Sequence, residues 1–286
     1  QKFAVANFVE SLDQLYGVYS IHNQLIKYNM TNNRIDGGSS GISHVAVVPN
    51  DIEEKNYNTL VSWLGKDYVR TVNKGYILNR MKDEQGMWMG TFNKLWLFNL
   101  TEYTKVIILD TDILIRSNIM HWYDYPTPCG IQAEDNIAWN SGALVITPNT
   151  TIFDQMLSML PHIQRYERDA NYTNDPLNGG YSDQDFISAF FLHNVEQSKQ
   201  RCVMPTEAAV LSGSLQSIDF FKYYNEYRPW VYQTVHFTHG KPWREGVQAD
   251  DPFLCTLFQE WNESMRGIEK YYGDDKDNAI EPIQND

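Results

Sequence analysis

Two aspartates in the middle of the chain, Asp110 and Asp112, are the side chains best placed to do chemistry. They interrupt an apolar segment, VIILDTDILI, which predicts a strand over Lys105–Ile115. Side chains at positions i and i+2 of an extended backbone point to the same side, so both carboxylates could converge on one cation. Mg²⁺ and Mn²⁺ prefer such oxygen ligands and commonly bridge to a substrate's phosphates. The alternative interpretation is a pair of solvated carboxylates in a turn.

A second candidate group lies near the C-terminus, in the run TVHFTHGKPW. A short strand is predicted there, which breaks at Gly240 and turns at Pro242. His236 would then lie at the strand end with a neutral imidazole, an acceptable third ligand for Mn²⁺. Lys241 would extend an ammonium group from the turn, where it could bind phosphate. A purely structural histidine is the alternative.

The segment WNSGALVITPN places Asn140, Ser141 and Gly142 immediately before an apolar strand over residues 143–147. At such a polar corner, backbone and amide groups could approach a ligand closely, because glycine carries no side chain. An ordinary turn before a strand is the alternative.

The segment GGYSDQDFISAFF predicts the start of a helix, with Ser182 as its N-cap. Asp183 and Gln184 then occupy the first turn. The exposed amides and the positive end of the helix would position polar groups there toward a ligand. The buried stripe of this helix would consist of Phe186, Ile187, Phe190 and Phe191.

The elements that must position these residues alternate between strands and helices along the first half of the chain. This alternation favours an α/β fold with a mostly parallel sheet covered on both faces. A parallel sheet would hold a nucleotide at the end of its first strand, around Ala6, Asn7 and Phe8. The predicted strands are Lys2–Phe8, His44–Val48 and Tyr68–Val72, with an active-site loop over Gly75–Thr91 and helices over Ile52–Leu64, Phe92–Leu100, Thr150–Glu167 and Asp219–Tyr227.

The order and spacing of the DTD, NSG, DQ and HxxxxKPW segments resemble the retaining glycosyltransferases of family 8, the glycogenin family. The resemblance extends from Lys2 to about Trp243. The stretch FNKLWLFNLTEYTKVIILDTD is especially similar to plant members that act on glucuronoxylan or on sphingolipids. The resemblance implies a GT-A fold, a UDP-sugar donor, and a Mn²⁺ (or Mg²⁺) ion held by Asp110, Asp112 and His236.

The same resemblance implies how the donor is bound. Lys241 would contact the diphosphate, while Lys94, Asn140, Asp183 and Gln184 would line the donor sugar. Together with the strand end proposed above, the predicted donor-binding set is Ala6, Asn7, Phe8, Lys94, Asp110, Thr111, Asp112, Asn140, Ser141, Asp183, Gln184, His236, Gly240 and Lys241.

The chain departs from glycogenin at two positions. Glycogenin glucosylates one of its own tyrosines, and the equivalent position falls near Asp219, so self-priming is not predicted. Glycogenin also has an aspartate three residues before the Asp-Gln pair, where this chain has Gly180. The identity of the transferred sugar therefore stays open.

The expected reaction transfers a sugar to a hydroxyl acceptor with retention at the anomeric carbon. Attack on the face of the leaving group and double displacement through Asp183 or Gln184 are both open routes. One rival is a phosphatase of the haloacid-dehalogenase type, in which the first aspartate is the nucleophile. Leu114 stands where those enzymes have Thr or Val. Another rival is a catalytically silent protein that keeps the fold and binds sugar nucleotides or acts as a scaffold.

Composition sets broader limits. A chain of 286 residues with 42% hydrophobic residues can bury a large core. We expect a single domain over residues 1–272, followed by an acidic, flexible tail over 273–286. The net charge of −13 argues against nucleic acid as a partner, and no apolar run is long enough for a membrane span. The acceptor would be a carbohydrate, glycolipid or protein hydroxyl, and the oligomeric state stays open.

Cysteines and sequons bear on the compartment. The three cysteines allow one disulfide and leave one thiol over. Because Gln1 is not an initiator Met, we expect that an upstream anchor or signal has been removed. Five N-glycosylation sequons favour a Golgi or secretory lumen over the cytoplasm. They begin at Asn29, Asn99, Asn149, Asn171 and Asn262.

Overall fold

The computed structural model describes residues 2–31, 41–81, 89–133, 139–163, 182–194, 202–205, 207–211, 232–238, 241–243 and 252–266. The strands are β1 Phe3–Phe8, β2 Ser43–Pro49, β3 Val69–Val72, β4 Lys105–Leu109, β5 Ile113–Ile115, β6 Cys129–Gln132, β7 Trp139–Ile146, β8 Cys202–Val203, β9 Ala209–Leu211 and β10 Thr234–His236. The α-helices are α1 Leu12–Lys27, α2 Glu54–Leu64, α3 Lys74–Leu78, α4 Thr150–Met159, α5 Asp183–Asn194 and α6 Pro252–Ser264. The 3₁₀ segments are Lys66–Tyr68, Met89–Asn99, Met120–Asp124 and Leu160–His162.

Seven strands form the main sheet in the order β3-β2-β1-β4-β7-β6-β8. The first four run parallel to one another, β7 is antiparallel to both β4 and β6, and β8 is parallel to β6. Strands β5, β10 and β9 form a second, smaller sheet. The predicted α/β class with a mostly parallel sheet is confirmed.

The central strands are buried on both faces, as parallel strands covered by helices must be. In β4, side chains alternate between two apolar clusters. Val106 and Ile108 pack in a cluster that includes Phe186, while Ile107 and Leu109 pack in one that includes Trp122. The chain that leaves the carboxyl end of β4 therefore starts from a point fixed by packing on both sides.

Helix α1 joins the two sheets to the last described helix. It packs against β5, α2 and α6. The Ser20 hydroxyl lies 2.5 Å from the Ser264 hydroxyl of α6, and Gln24 Oε1 accepts a 2.5 Å hydrogen bond from the backbone N–H of Ile115 in β5. Buried polar groups of α1 are thus bonded to both neighbours, which fixes the helix in position.

Three predicted elements differ in the structure. The apolar segment Lys105–Ile115 is not one strand, because β4 and β5 belong to different sheets. The predicted helix over 92–100 is a 3₁₀ segment, Met89–Asn99. Helix α4 ends at Met159 rather than continuing to 167, since Pro161 lacks the backbone N–H that a helix interior needs.

Other predictions are only partly covered by the structure. The predicted loop 75–91 begins within α3, and its residues 82–88 lie outside the described residues. The predicted helix over 219–227 and the acidic tail over 273–286 also lie outside them. A single domain over 1–272 stays a prediction. Within the described part of the chain, no helix combines the length and apolar character needed to span a bilayer.

A disulfide between Cys129 and Cys202 holds β8 at the edge of the main sheet. The two residues face each other in the register of β6 and β8 and are 73 positions apart in the sequence. The indole N–H of Trp139 also donates a 2.9 Å hydrogen bond to the Cys202 carbonyl. Because β8 has only two residues, the disulfide supplies much of its attachment.

Removing this disulfide should destabilise the fold. We expect Cys129→Ser to lower the free energy of unfolding by about 2–5 kcal/mol, because the unfolded chain gains the freedom of a long loop. Urea unfolding of the oxidised protein measures the change. Cys255→Ser is the matched control, since Cys255 is exposed and takes no part in the disulfide. Equal stability of the two variants would contradict the prediction.

Candidate metal centre and active site

The segment Asp110–Asp112 is a turn that carries the chain from β4 in one sheet to β5 in the other. The backbone N–H of Ile113 donates a 3.2 Å hydrogen bond to the Asp110 carbonyl, which closes the turn. The carboxylates therefore converge through a turn, and the predicted convergence along an extended strand is wrong. They are not simply solvated, however, because Asp112 is only 3% exposed.

His236 reaches the same point from β10, which pairs antiparallel with β5 so that His236 lies opposite Ile113. Its Nε2 atom is 3.1 Å from Asp112 Oδ1 and 3.8 Å from Asp110 Oδ2. One ligand atom from each of the three residues lies within 4.8 Å of the others. Two carboxylates and one imidazole are a donor set that suits Mn²⁺ or Mg²⁺, so the residues fit the expected metal.

Lys241 also contacts this cluster. Its ammonium is bonded to Asp112 Oδ2 and donates a second, 3.3 Å hydrogen bond to the Phe237 carbonyl. Burial would raise the pKa of Asp112, but contact with His236 and Lys241 outweighs burial and holds that pKa below its ordinary value. Asp112 is therefore ionised, as a metal ligand must be. Gly240 lies outside the described residues.

Lys94, in the 3₁₀ segment Met89–Asn99, links the metal cluster to helix α5. Its Nζ atom is 2.7 Å from Asp110 Oδ1, 3.0 Å from Asp183 Oδ2 and 3.2 Å from the Ser141 hydroxyl. Burial alone would lower the pKa of Lys94, but the two carboxylates raise it above its usual value. Lys94 is thus a permanently charged bridge between two aspartates.

Asn140, Ser141 and Gly142 lie inside β7, so neither the predicted polar corner before the strand nor the alternative of an ordinary turn there is correct. The register of β6 with β7 shifts at this point, so the strand bulges. The Gly142 N–H donates a 2.9 Å hydrogen bond to Asn140 Oδ1, and His236 Nδ1 is 2.9 Å from the same oxygen. The Gly142 carbonyl accepts a 2.8 Å hydrogen bond from the Asp110 N–H.

The structure also places the remaining predicted residues. Asp183 and Gln184 begin α5 directly after Ser182, as predicted, and Gln184 is half-buried. Asn7 is fully buried, with its Nδ2 donating to the Leu109 carbonyl at 2.6 Å and its Oδ1 2.6 Å from His44 Nε2. Nucleotide contact by Ala6, Asn7 and Phe8 stays a prediction.

Gly17 of α1 is a site residue that the sequence reasoning missed. A Cβ atom at Gly17 would lie 1.9 Å from the Thr111 carbonyl oxygen, closer than any two such atoms can approach. Thr111 itself is 5% exposed and forms the middle of the aspartate turn. The helix therefore supports the turn by direct backbone contact, which only glycine permits.

A methyl group at Gly17 should displace the aspartate turn. We expect Gly17→Ala to lower the free energy of unfolding by about 1–3 kcal/mol through overpacking, although alanine ordinarily favours helix. The matched control is Gly75→Ala in α3, where the nearest atom would be the Asn79 amide nitrogen at 3.2 Å. Denaturant unfolding of both variants measures the difference. If Gly17→Ala were as stable as Gly75→Ala, the close contact would be disproved.

No family model matches the chain. It is 25% identical over 167 residues to UDP-glucuronate:xylan alpha-glucuronosyltransferase 1 of Arabidopsis thaliana, which covers 57% of this chain and 24% of that protein. It is 29% identical over 180 residues to Glycogenin-1 of Caenorhabditis elegans, covering 60% of this chain and 36% of that protein. The resemblance to the glycogenin-like glycosyltransferases of family 8 is confirmed.

Solved structures agree on the fold. The bifunctional glycosyltransferase WbbM matches with a TM-score of 0.63 at 15% identity, over 95% of this chain and 51% of that chain. The galactosyltransferase LgtC, in complex with donor and acceptor sugar analogues, matches with a TM-score of 0.59 at 13% identity, over 92% of this chain and 95% of that chain. The chain has the GT-A fold. It spans about a quarter to a third of the length of the two curated relatives named above.

Proposed function

We propose that this chain is a retaining glycosyltransferase that moves a sugar from a UDP-sugar donor to a hydroxyl acceptor and depends on Mn²⁺ or Mg²⁺. The observation that carries the proposal is the convergence of Asp110, Asp112 and His236 on one point, with Lys94 and Lys241 bonded to the two carboxylates. The similarity in sequence to a UDP-glucuronate-dependent transferase supports the choice of donor.

The charges of the site support an anionic ligand. Asp110, Asp112 and Asp183 carry three negative charges, against two positive charges on Lys94 and Lys241. A divalent ion would leave this group of residues with a net positive charge, which a diphosphate would neutralise. In a chain with a net charge of −13, such a local excess of positive charge is needed to bind a nucleotide.

The metal site and Lys241 would both act on the diphosphate that leaves the donor sugar. When bound, the metal supplies Lewis-acid stabilisation of the negative charge that forms on the departing diphosphate. Lys241 adds an ammonium to the same end of the donor after exchanging its bond to Asp112 for one to a phosphate oxygen. Its side chain is one-third exposed and therefore has room to move.

The state of Asp183 favours attack on the same face as the leaving group. Its carboxylate is buried and lies 3.0 Å from the Lys94 ammonium, a contact that makes it a poor nucleophile. In this route the acceptor oxygen bonds to the anomeric carbon as the bond from that carbon to the phosphate oxygen breaks. The hydroxyl proton passes to the departing phosphate. Asp183 and Gln184 then position the sugar.

The alternatives differ in what they can explain. The phosphatase is disfavoured because the fold matches those of solved glycosyltransferases and because Leu114 stands where such phosphatases have Thr or Val. A silent protein of the same fold would bind UDP-sugars without turnover, so a screen of UDP-sugars for release of UDP separates it from the enzyme.

The Cys129–Cys202 disulfide supports a secretory compartment, where such bonds persist.

Loss of one metal ligand should abolish turnover. We expect Asp112→Asn to reduce metal-dependent UDP release about 100-fold or more, because the leaving group loses its stabilisation. Asp124→Asn, a change at an exposed aspartate, is the matched control and should keep full activity. Circular dichroism checks that both variants fold. Turnover by Asp112→Asn in the presence of EDTA would count against the proposal.

Loss of Lys241 should act on the nucleotide and not on the metal. We expect Lys241→Ala to raise the Kd for UDP about 10-fold, the loss of one charged hydrogen bond. Mn²⁺ should bind at least as tightly as before, because nothing then competes for Asp112 Oδ2. Isothermal titration measures both constants, with the exposed Lys66→Ala as control. An unchanged Kd for UDP would refute this role.

A further inference from the structure

We propose that Asn140 is the residue that orients His236 for metal binding, and that Gly142 provides the space in which the imidazole lies. The proposal rests on the metal-dependent function proposed above, but it assigns Asn140 a task other than contact with the donor sugar. Asn140 would act through His236 and is therefore a positioning residue.

Chemistry fixes which atom of Asn140 faces the imidazole. The Gly142 N–H can only donate a hydrogen bond, so the amide atom 2.9 Å from it must be the oxygen. The same oxygen lies 2.9 Å from His236 Nδ1. An acceptor at that distance requires a proton on Nδ1. The tautomer of the imidazole is fixed in this way, and Nε2 is then the nitrogen that can bind a metal.

The orientation of the ring suits a cation. With Nδ1 held by Asn140, Nε2 points to Asp112 Oδ1 at 3.1 Å and to Asp110 Oδ2 at 3.8 Å. The three atoms converge on one point, where each can offer an electron pair to a cation. Asn140 thus holds the imidazole in an arrangement that becomes favourable when a cation is bound.

Gly142 makes the position of the ring possible. A Cβ atom there would lie 2.3 Å from His236 Cε1 and 2.7 Å from Nδ1, so any other residue would push the imidazole away. The Gly142 carbonyl also accepts the hydrogen bond of the Asp110 N–H. The bulge in β7 therefore fixes two of the three metal ligands from one short segment.

This role leaves only part of Asn140 for the donor. Its oxygen already faces two donors, the Gly142 N–H and His236 Nδ1, and an amide oxygen has two lone pairs. Contact with the donor sugar could then use only the amide nitrogen. The two roles can be separated by substitution, because aspartate keeps the oxygen and loses the nitrogen.

The test measures the Kd for Mn²⁺ by electron paramagnetic resonance of free Mn²⁺, without any substrate. We expect Asn140→Leu, which has no acceptor, to raise that Kd roughly 10- to 100-fold, as loss of a partner of a metal-bound histidine does elsewhere. Asn140→Asp should bind Mn²⁺ no more weakly than the unmodified chain. Thermal unfolding checks that each variant folds.

A second variant and a spectroscopic measurement keep the proposal testable if Asn140→Leu fails to fold. Gly142→Ala should also weaken Mn²⁺ binding, since its Cβ atom would lie 2.3 Å from His236 Cε1 and 2.8 Å from Asn140 Oδ1 and would displace both side chains. In the ¹⁵N NMR spectrum of the Mg²⁺-loaded protein, the His236 proton should be on Nδ1. A proton on Nε2 would overturn the proposal.

The outcomes distinguish this inference from the proposed function. If Asn140→Leu bound Mn²⁺ as the unmodified chain does but had lost affinity for the UDP-sugar, Asn140 would serve only the sugar, and the positioning role would be wrong. If the unmodified chain bound no Mn²⁺, the metal-dependent function itself would fail, and this inference with it.

Discussion

The close packing of like charges where the two sheets meet is the constraint on which the rest of the site depends. Asp110 follows the last residue of β4 in the main sheet, and Asp112 precedes β5 of the smaller one. Asp183 begins helix α5 and shares the Lys94 ammonium with Asp110. Asp112 and Asp183 are buried and Asp110 is half-buried, and carboxylates in such surroundings are tolerated only when cations balance them. Lys94 lies between Asp110 and Asp183, and Lys241 covers Asp112, so each carboxylate has an ammonium partner.

Close backbone packing determines where those charges can lie. The aspartate turn rests on Gly17 of α1, and the imidazole of His236 rests on Gly142 of β7. A Cβ atom would lie 1.9 Å from the Thr111 carbonyl oxygen at the first place and 2.3 Å from His236 Cε1 at the second, so a methyl group at either would displace its neighbour. Metal binding depends on distances held to a few tenths of an ångström, so these two contacts matter more than the ordinary packing of the core.

The fold class was predicted from the alternation of strands and helices. The resemblance to family 8 implied that Asp110, Asp112 and His236 would come together, as they do in the structure. The sequence predicted the wrong backbone at the aspartates, since local pattern does not show that β4 and β5 join different sheets. Gly17 was missed because a glycine inside a helical pattern looks merely unfavourable. Three cysteines allow several pairings, and only the register of β6 with β8 selects Cys129 and Cys202.

Lys94 connects events at the two ends of the donor. One ammonium neutralises Asp110, on the metal side, and Asp183, on the side expected to contact the sugar. A cation bound beside Asp110 would weaken the attraction between Asp110 and the Lys94 ammonium. Lys94 would then interact more strongly with Asp183. Through Lys94, a cation bound at the metal site would therefore alter the electrostatic environment of Asp183 at the start of α5.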